Sequence, residues 1–219
     1  MSVNRLRHKG TGPKRHTIPA LFTFPFEVPE DVLDDLGGII REHLYTDDIG
    51  KSHYPVADPK YVELANHIPE GYRDIALHFH REGSEGLDEK SYTEWNERSN
   101  PNGPLRTFMA YFFPKAYRVR IGHMPAHKEL NWHIDTNSTV AVRVQIPITH
   151  DYNKSQIQFD IRTKDGIEIA NNPIGECFMT NTAWPHRVTN HTDEGRFTMM
   201  FTIEYNDLIQ AGAPEPIKP

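Results

Sequence analysis

In the segment NWHIDT, His133 and Asp135 stand two residues apart, just ahead of the apolar run TVAVRVQIPI. Side chains at i and i+2 of an extended segment point the same way. An imidazole and a carboxylate can therefore address one point. They can share a proton, hydrogen-bond each other at the surface, or hold a metal. Further along, His186 follows Pro185 in NTAWPHRVTN, and Arg196 stands ten positions later at the head of RFTMMFTIEY. Arg143 and Gln145 share one parity of AVRVQIPI, while Val142, Val144 and Ile146 share the other. The second parity reads as a packed face. An arginine on so core-like a strand is costly unless it faces water or an anion, and its planar fork suits bidentate capture of a carboxylate.

Two histidines and one carboxylate can occupy one face of a metal and leave positions open, the facial arrangement that suits non-haem Fe(II). His-x-Asp alone is a weak signal, and each residue taken singly reads as a surface group. His133, Asp135, His186 and Arg196 in this order and spacing are a stronger one. A zinc hydrolase with the same ligands needs a nearby general base, and no HExxH-like glutamate is present.

Strands and turns must hold these residues. From Leu105 onward, six strand candidates follow one another without intervening helices: LRTFMAYFF, AYRVRIGHM, STVAVRVQIPI, SQIQFDIR, GECFMTNT and GRFTMMFTIEY. This pattern predicts a sandwich or barrel-like sheet pair. Upstream, PEDVLDDLGGIIREHLY (29–45) reads as a helix, with Pro29 at its first turn and apolar residues at helical spacing. The stretch 59–82 reads as two short helices, one marked by Tyr61, Leu64 and Ile68, the next by Tyr72, Ile75, Ala76 and Phe79. Residues 83–104 are polar and rich in turn formers, a long connection suited to a surface loop or a lid. Residues 149–155, THDYNKS, are a second candidate for a substrate mouth.

The chain has 219 residues, 37% hydrophobic and 11% aromatic, with a net charge of -6. That is a globular composition with one sizeable core and no overall basic field for nucleic acid. Arg5, Arg7, Lys9, Lys14 and Arg15 form a basic run expected to be a flexible tail over 1–16. The single cysteine, Cys177, cannot form an internal disulfide, and no apolar run is long enough for a bilayer. The expectation is a soluble, cytoplasmic protein with no membrane partner. Arg118 and Arg120 alternate with Val119 and Ile121, so one strand face is basic; it reads first as a solvated face and second as a contact for an anionic substrate group. Met199 and Met200 read as core filler. Trp132 and Trp184 flank the two histidines, as cleft wall or rim packing.

The segment from about Tyr117 to Tyr205 resembles the 2-oxoglutarate/Fe(II)-dependent oxygenases, and most of all their aspartyl/asparaginyl β-hydroxylase-like branch. The resemblance rests on RVRIGHMPAHKELNWHIDT, VRVQIPI and WPHRVTNHTDEGRFTMMF. It implies a mainly β chain with N-terminal helices (α+β) and a double-stranded β-helix core, a cupin-like jelly roll. One domain is expected over 17–219, with helical or irregular support and a lid over 17–104 and the core over 105–205. It further implies Fe(II) held by His133, Asp135 and His186, 2-oxoglutarate held by Arg196 with Arg143 and Gln145, and O2 as the second cosubstrate. Asp135 counts against a halogenase, in which a halide replaces the carboxylate. The implied reaction hydroxylates an unactivated C–H bond of an amino acid, free or in a peptide or protein, releasing succinate and CO2. Two rivals from other classes stay open: a cupin-type binding module without turnover, and the zinc hydrolase.

Overall fold

The computed structural model describes residues 17–43, 69, 71–80, 89–135, 141–153 and 156–215. The basic tail and the expected helix around Tyr61–Ile68 lie outside the described residues. Two antiparallel sheets dominate. The larger has six strands in the order β1 (Leu21–Glu27), β10 (Glu176–Thr180), β7 (Ala141–Pro147), β12 (Arg196–Glu204), β5 (Tyr117–Met124) and β2 (Arg73–Ala76). The smaller has four, in the order β6 (Glu129–His133), β11 (His186–Asn190), β8 (Ile157–Thr163) and β9 (Gly166–Ala170). A short ribbon pairs β3 (His78–His80) with β4 (Tyr92–Trp95). The chain is mostly β with few helices, and its core is a cupin-like jelly roll. No helix among the described residues is long and apolar enough to cross a membrane.

Alternation along the strands sorts the core into two parts. Val142, Val144, Ile146, Met199, Phe201, Ile203, Val119 and Ile121 point to the outer face of the large sheet. Two helices cover that face: α1 (Glu30–His43), through Val32, Leu36, Ile39 and Ile40, and α2 (Pro104–Phe112), through Leu105, Phe108 and Met109. Asp35 of α1 accepts a hydrogen bond from the Leu105 backbone N–H at 3.2 Å, so a carboxylate caps α2 and ties the helices together. A second cluster fills the space between the sheets, with Met124, Tyr152, Phe159, Phe178 and Val188. Cys177 is buried in the outer-face core, where burial pushes its thiol pKa up.

Helix 29–45 is found as Glu30–His43. Two expectations are corrected. LRTFMAYFF is helix α2, not a strand, because Leu105, Phe108, Met109 and Phe112 recur at 3.6-residue spacing behind Gly103 and Pro104. Tyr72–Phe79 is strand, not helix: Ile75 pairs with Ile121 at the edge of the large sheet, and tertiary pairing outweighs the apolar spacing. The connection 83–104 contains β4.

His78 on β3 is 4% exposed, donates from Nδ1 to the Tyr92 carbonyl at 3.0 Å and meets Trp95 edge-on. Burial lowers its pKa from 6.5 to about 4. The fold therefore favours neutral His78. Above pH 6.5 this makes no difference to stability. As pH falls toward 4, the unfolded chain takes up a proton that the folded chain refuses, and stability drops by up to about 3 kcal/mol. His78→Gln should flatten this slope. Urea midpoints at about pH 7 and about pH 4.5 should separate less in the variant than in the wild type.

Candidate metal centre

His133 ends β6 and His186 begins β11, and the two are direct register partners across the antiparallel ladder. Paired positions bring Cβ atoms to about 5 Å, and here the ring centroids are 4.1 Å apart. Asp135 lies two residues past His133, where the strand has ended and its N–H donates to the Thr182 carbonyl at 3.2 Å. Asp135 Oδ1 stands 3.6 Å from His133 Nε2 and 3.9 Å from His186 Nε2. Ligand atoms of all three lie within 4.8 Å of one another.

Each histidine has the tautomer that a metal ligand needs. His133 Nδ1 donates to the Asn131 carbonyl at 2.6 Å and His186 Nδ1 to the Trp184 carbonyl at 3.0 Å. A carbonyl only accepts, so both Nε2 lone pairs face the site. His186 also stacks on Phe159, which fixes its ring. Burial, then the neighbouring His186, lowers the His133 pKa, so the ring is neutral at neutral pH. Burial alone would raise the Asp135 pKa. The Arg143 guanidinium, 2.8 Å from Oδ2, and the two histidines overcome it and hold the carboxyl well below its ordinary range. Two neutral imidazoles and a carboxylate in this cluster fit a divalent ion with open positions.

Arg143 Nη2 donates to Asp135 Oδ2 at 2.8 Å. It orients the Asp135 carboxylate, the candidate metal ligand, across the cleft. Arg143→Met should lower metal affinity about 10- to 100-fold, the usual cost of losing such a supporting bond. A Mn(II) titration of the wild type and the variant checks this.

The opposite wall comes from the inner face of the large sheet. Register places Gln145 beside Met200, and Met200 beside Arg120. Arg196 is 3% exposed and lines the same cleft as the three ligands. Its Nη1 donates to the Tyr152 and Thr198 hydroxyls, and its guanidinium lies 5.2 Å from the Tyr152 ring centroid. Tyr152 Oη donates to Gln145 Oε1 at 3.3 Å, Gln145 Nε2 donates to Thr180 Oγ1 at 3.2 Å, and Thr180 donates on to the Arg143 carbonyl at 3.3 Å. Gln145 thus supports the Tyr152 hydroxyl. Among the described residues Arg196 has only hydroxyl hydrogen-bond partners, and its buried Nε has no acceptor. A buried cation so placed is costly, and a carboxylate ligand would complete it. These residues fit one end of 2-oxoglutarate.

All six expected site residues, His133, Asp135, His186, Arg196, Arg143 and Gln145, line one cleft. Sequence reasoning missed Tyr152 and Thr198. Tyr152 lies in THDYNKS, expected at the substrate mouth, but it is fully buried. Thr198 was visible as an inward-parity neighbour of Arg196. Met200 lines the cleft, whereas Met199 packs in the core. Trp132 does not wall the cleft; it sits between Arg162 and Arg187 at 4.3 and 5.1 Å. Arg118 and Arg120 are not solvated, being 5% and 9% exposed, and both line the cleft.

No family model and no curated protein matches the sequence. Solved structures match the fold. A Pseudomonas putida prolyl-4-hydroxylase aligns over 84% of this chain and 92% of its own, with a TM-score of 0.53 and 10% identity. A prolyl hydroxylase from Trichoplax adhaerens, solved with a hypoxia inducible factor peptide fragment, covers 87% and 86%, with a TM-score of 0.55 and 9% identity. The α-ketoglutarate-dependent epimerase SnoN of nogalamycin biosynthesis covers 86% and 78%, with a TM-score of 0.55 and 8% identity. The fold is thus shared with these three solved structures.

Proposed function

We propose that the protein is an Fe(II)- and 2-oxoglutarate-dependent oxygenase that hydroxylates an unactivated C–H bond of an amino acid, free or within a peptide or protein. The aspartyl/asparaginyl β-hydroxylase-like branch is the one its strand sequences resemble. The observation that carries the reading is the meeting, in one cleft, of a His133–Asp135–His186 cluster with a buried Arg196 that pairs with no carboxylate among the described residues. Iron and 2-oxoglutarate, when bound, supply the oxidising power, consuming O2 and releasing CO2 and succinate.

The chain's own residues do the positioning. The ligand histidines hold their protons on Nδ1, away from the metal side. Asp135 stays ionised beside Arg143. Arg196, Tyr152 and Thr198 anchor the far carboxylate of the cosubstrate. Burial raises the Tyr152 pKa, so the phenol keeps its proton and remains a donor. A hydrolase would need a base beside the metal. The other cleft carboxylate, Asp74, stands 3.3 Å from Arg120 and serves that pairing instead.

Succinate formation from 2-oxoglutarate with Fe(II), ascorbate and air tests this reading. Slow turnover without added substrate is expected, and none in His133→Ala. Equal rates in the two proteins would overturn it.

A further inference from the structure

The inner face of the large sheet carries one ion pair that the proposed function leaves unassigned. Arg120 on β5 stands opposite Met200 of β12, and Asp74 on the edge strand β2 stands opposite Gly122 of β5. Directly paired residues share a face, and so do residues two apart on one strand. Asp74 and Arg120 are therefore diagonal neighbours on the face of Met200, and all three line the cleft. Arg120 is near enough to Asp135 to help hold that carboxyl ionised, after Arg143 and the two histidines. The pair thus stands within electrostatic reach of the candidate metal centre.

The pairing is incomplete. Arg120 Nε lies 3.3 Å from Asp74 Oδ2, and the two side chains are 10% and 12% exposed. The contact has ion-pair distance without hydrogen-bond geometry: buried Nε and Nη1 of Arg120 make no hydrogen bond among the described residues. Asp74 Oδ1, also buried, accepts none there. The Tyr72 hydroxyl neighbours the same carboxylate without completing Oδ1. It fills the space over Gly122, where a Cβ would come within 2.6 Å of it. Burial and the Asp74 charge push its pKa well up, so the phenol keeps its proton. A buried ion pair recovers its desolvation cost only when further hydrogen bonds satisfy its remaining donors and acceptors. Here two donors and one acceptor stay open, side by side in a cleft. A guest that completes them offers an acceptor to Arg120 and a donor to Asp74, a few ångströms apart. The pair has no net charge, so the guest needs none. Charge-assisted bonds are about twice as strong as neutral ones. An ammonium and a carboxylate on one carbon meet all of these conditions.

We propose that Asp74 and Arg120 bind the zwitterionic head of a free α-amino acid, its ammonium on Asp74 Oδ1 and its carboxylate on Arg120 Nη1. Resting on the oxygenase reading, this narrows the substrate from an amino acid in any setting to a free one, with its side chain presented to the metal. A residue inside a peptide carries neither charge on its backbone.

The test is thermal unfolding of the Mn(II)-loaded protein, with and without saturating 2-oxoglutarate, in each of the standard L-amino acids and in their N-acetyl amides. At least one free amino acid should give a saturable rise in Tm, and its capped form should bind at least about tenfold more weakly. The double variant Asp74→Asn/Arg120→Gln should weaken the free form by at least about tenfold. It removes both charges together and leaves neither buried alone, so it should still unfold cooperatively. Arg120→Lys keeps the charge but loses the planar fork, and should weaken the same ligand. No saturable response in the wild type, capped forms that bind as well as free ones, or a response unchanged in both variants overturns the proposal; the pair then only ties β2 to β5. Separate calorimetry of 2-oxoglutarate binding keeps the two readings apart. If 2-oxoglutarate does not bind, the oxygenase reading falls, and the melts without it still judge the pair.

Discussion

Arg196→Ala should abolish measurable 2-oxoglutarate binding and leave metal binding intact. The guanidinium is buried, is hydrogen-bonded only to hydroxyls among the described residues and shares a cleft with His133, Asp135 and His186. Removing one partner of a buried charged pair costs about 2–5 kcal/mol, roughly thirty- to several-thousand-fold in affinity. The ligand-free protein should lose little stability, because the substitution also removes a buried cation that no carboxylate among the described residues neutralises. Calorimetry with 2-oxoglutarate, a Mn(II) titration and a thermal melt on one pair of proteins check all three parts. Normal cosubstrate binding in the variant would refute the assignment.

The second large effect falls on the metal. Asp135→Ala removes the one carboxylate of the cluster and the partner of Arg143 together. Losing a supporting bond behind a ligand costs 10- to 100-fold, so losing the ligand itself should exceed about 100-fold in metal affinity. A positive Arg143 left behind adds repulsion toward a divalent ion. Asp135→Glu keeps the charge but lengthens the side chain, and should recover only part of the binding. Mn(II) affinity measured by electron paramagnetic resonance separates these outcomes. Undiminished affinity in Asp135→Ala would remove the aspartate from the centre.

The chemistry of the site was more legible in sequence than its surroundings. His133, Asp135, His186 and Arg196 could be read from residue type and order because short strands and tight turns carry them. The parity of AVRVQIPI placed Arg143 and Gln145 correctly on the inner face of the large sheet. Parity does not name a partner, so the ion pair between Arg143 and Asp135 was not legible. Tyr152 was hidden because it lies in a polar loop, and only the packing of the two sheets shows it buried. Arg118 and Arg120 read as a solvated face because a bulge and an added edge strand are long-range features. Nothing local announces that β2 will cover β5. The α2 helix was misread because LRTFMAYFF is a short, aromatic-rich apolar run, which composition assigns to a strand while its 3.6-residue spacing extends over barely two turns.

The most direct measurement is the visible absorption spectrum of the protein with Fe(II) and 2-oxoglutarate under strict exclusion of oxygen. A charge-transfer band forms only when the keto acid chelates iron. The account predicts that band in the wild type and its absence, at equal 2-oxoglutarate, in both His133→Ala and Arg196→Ala. An iron-loaded wild type without the band would contradict it.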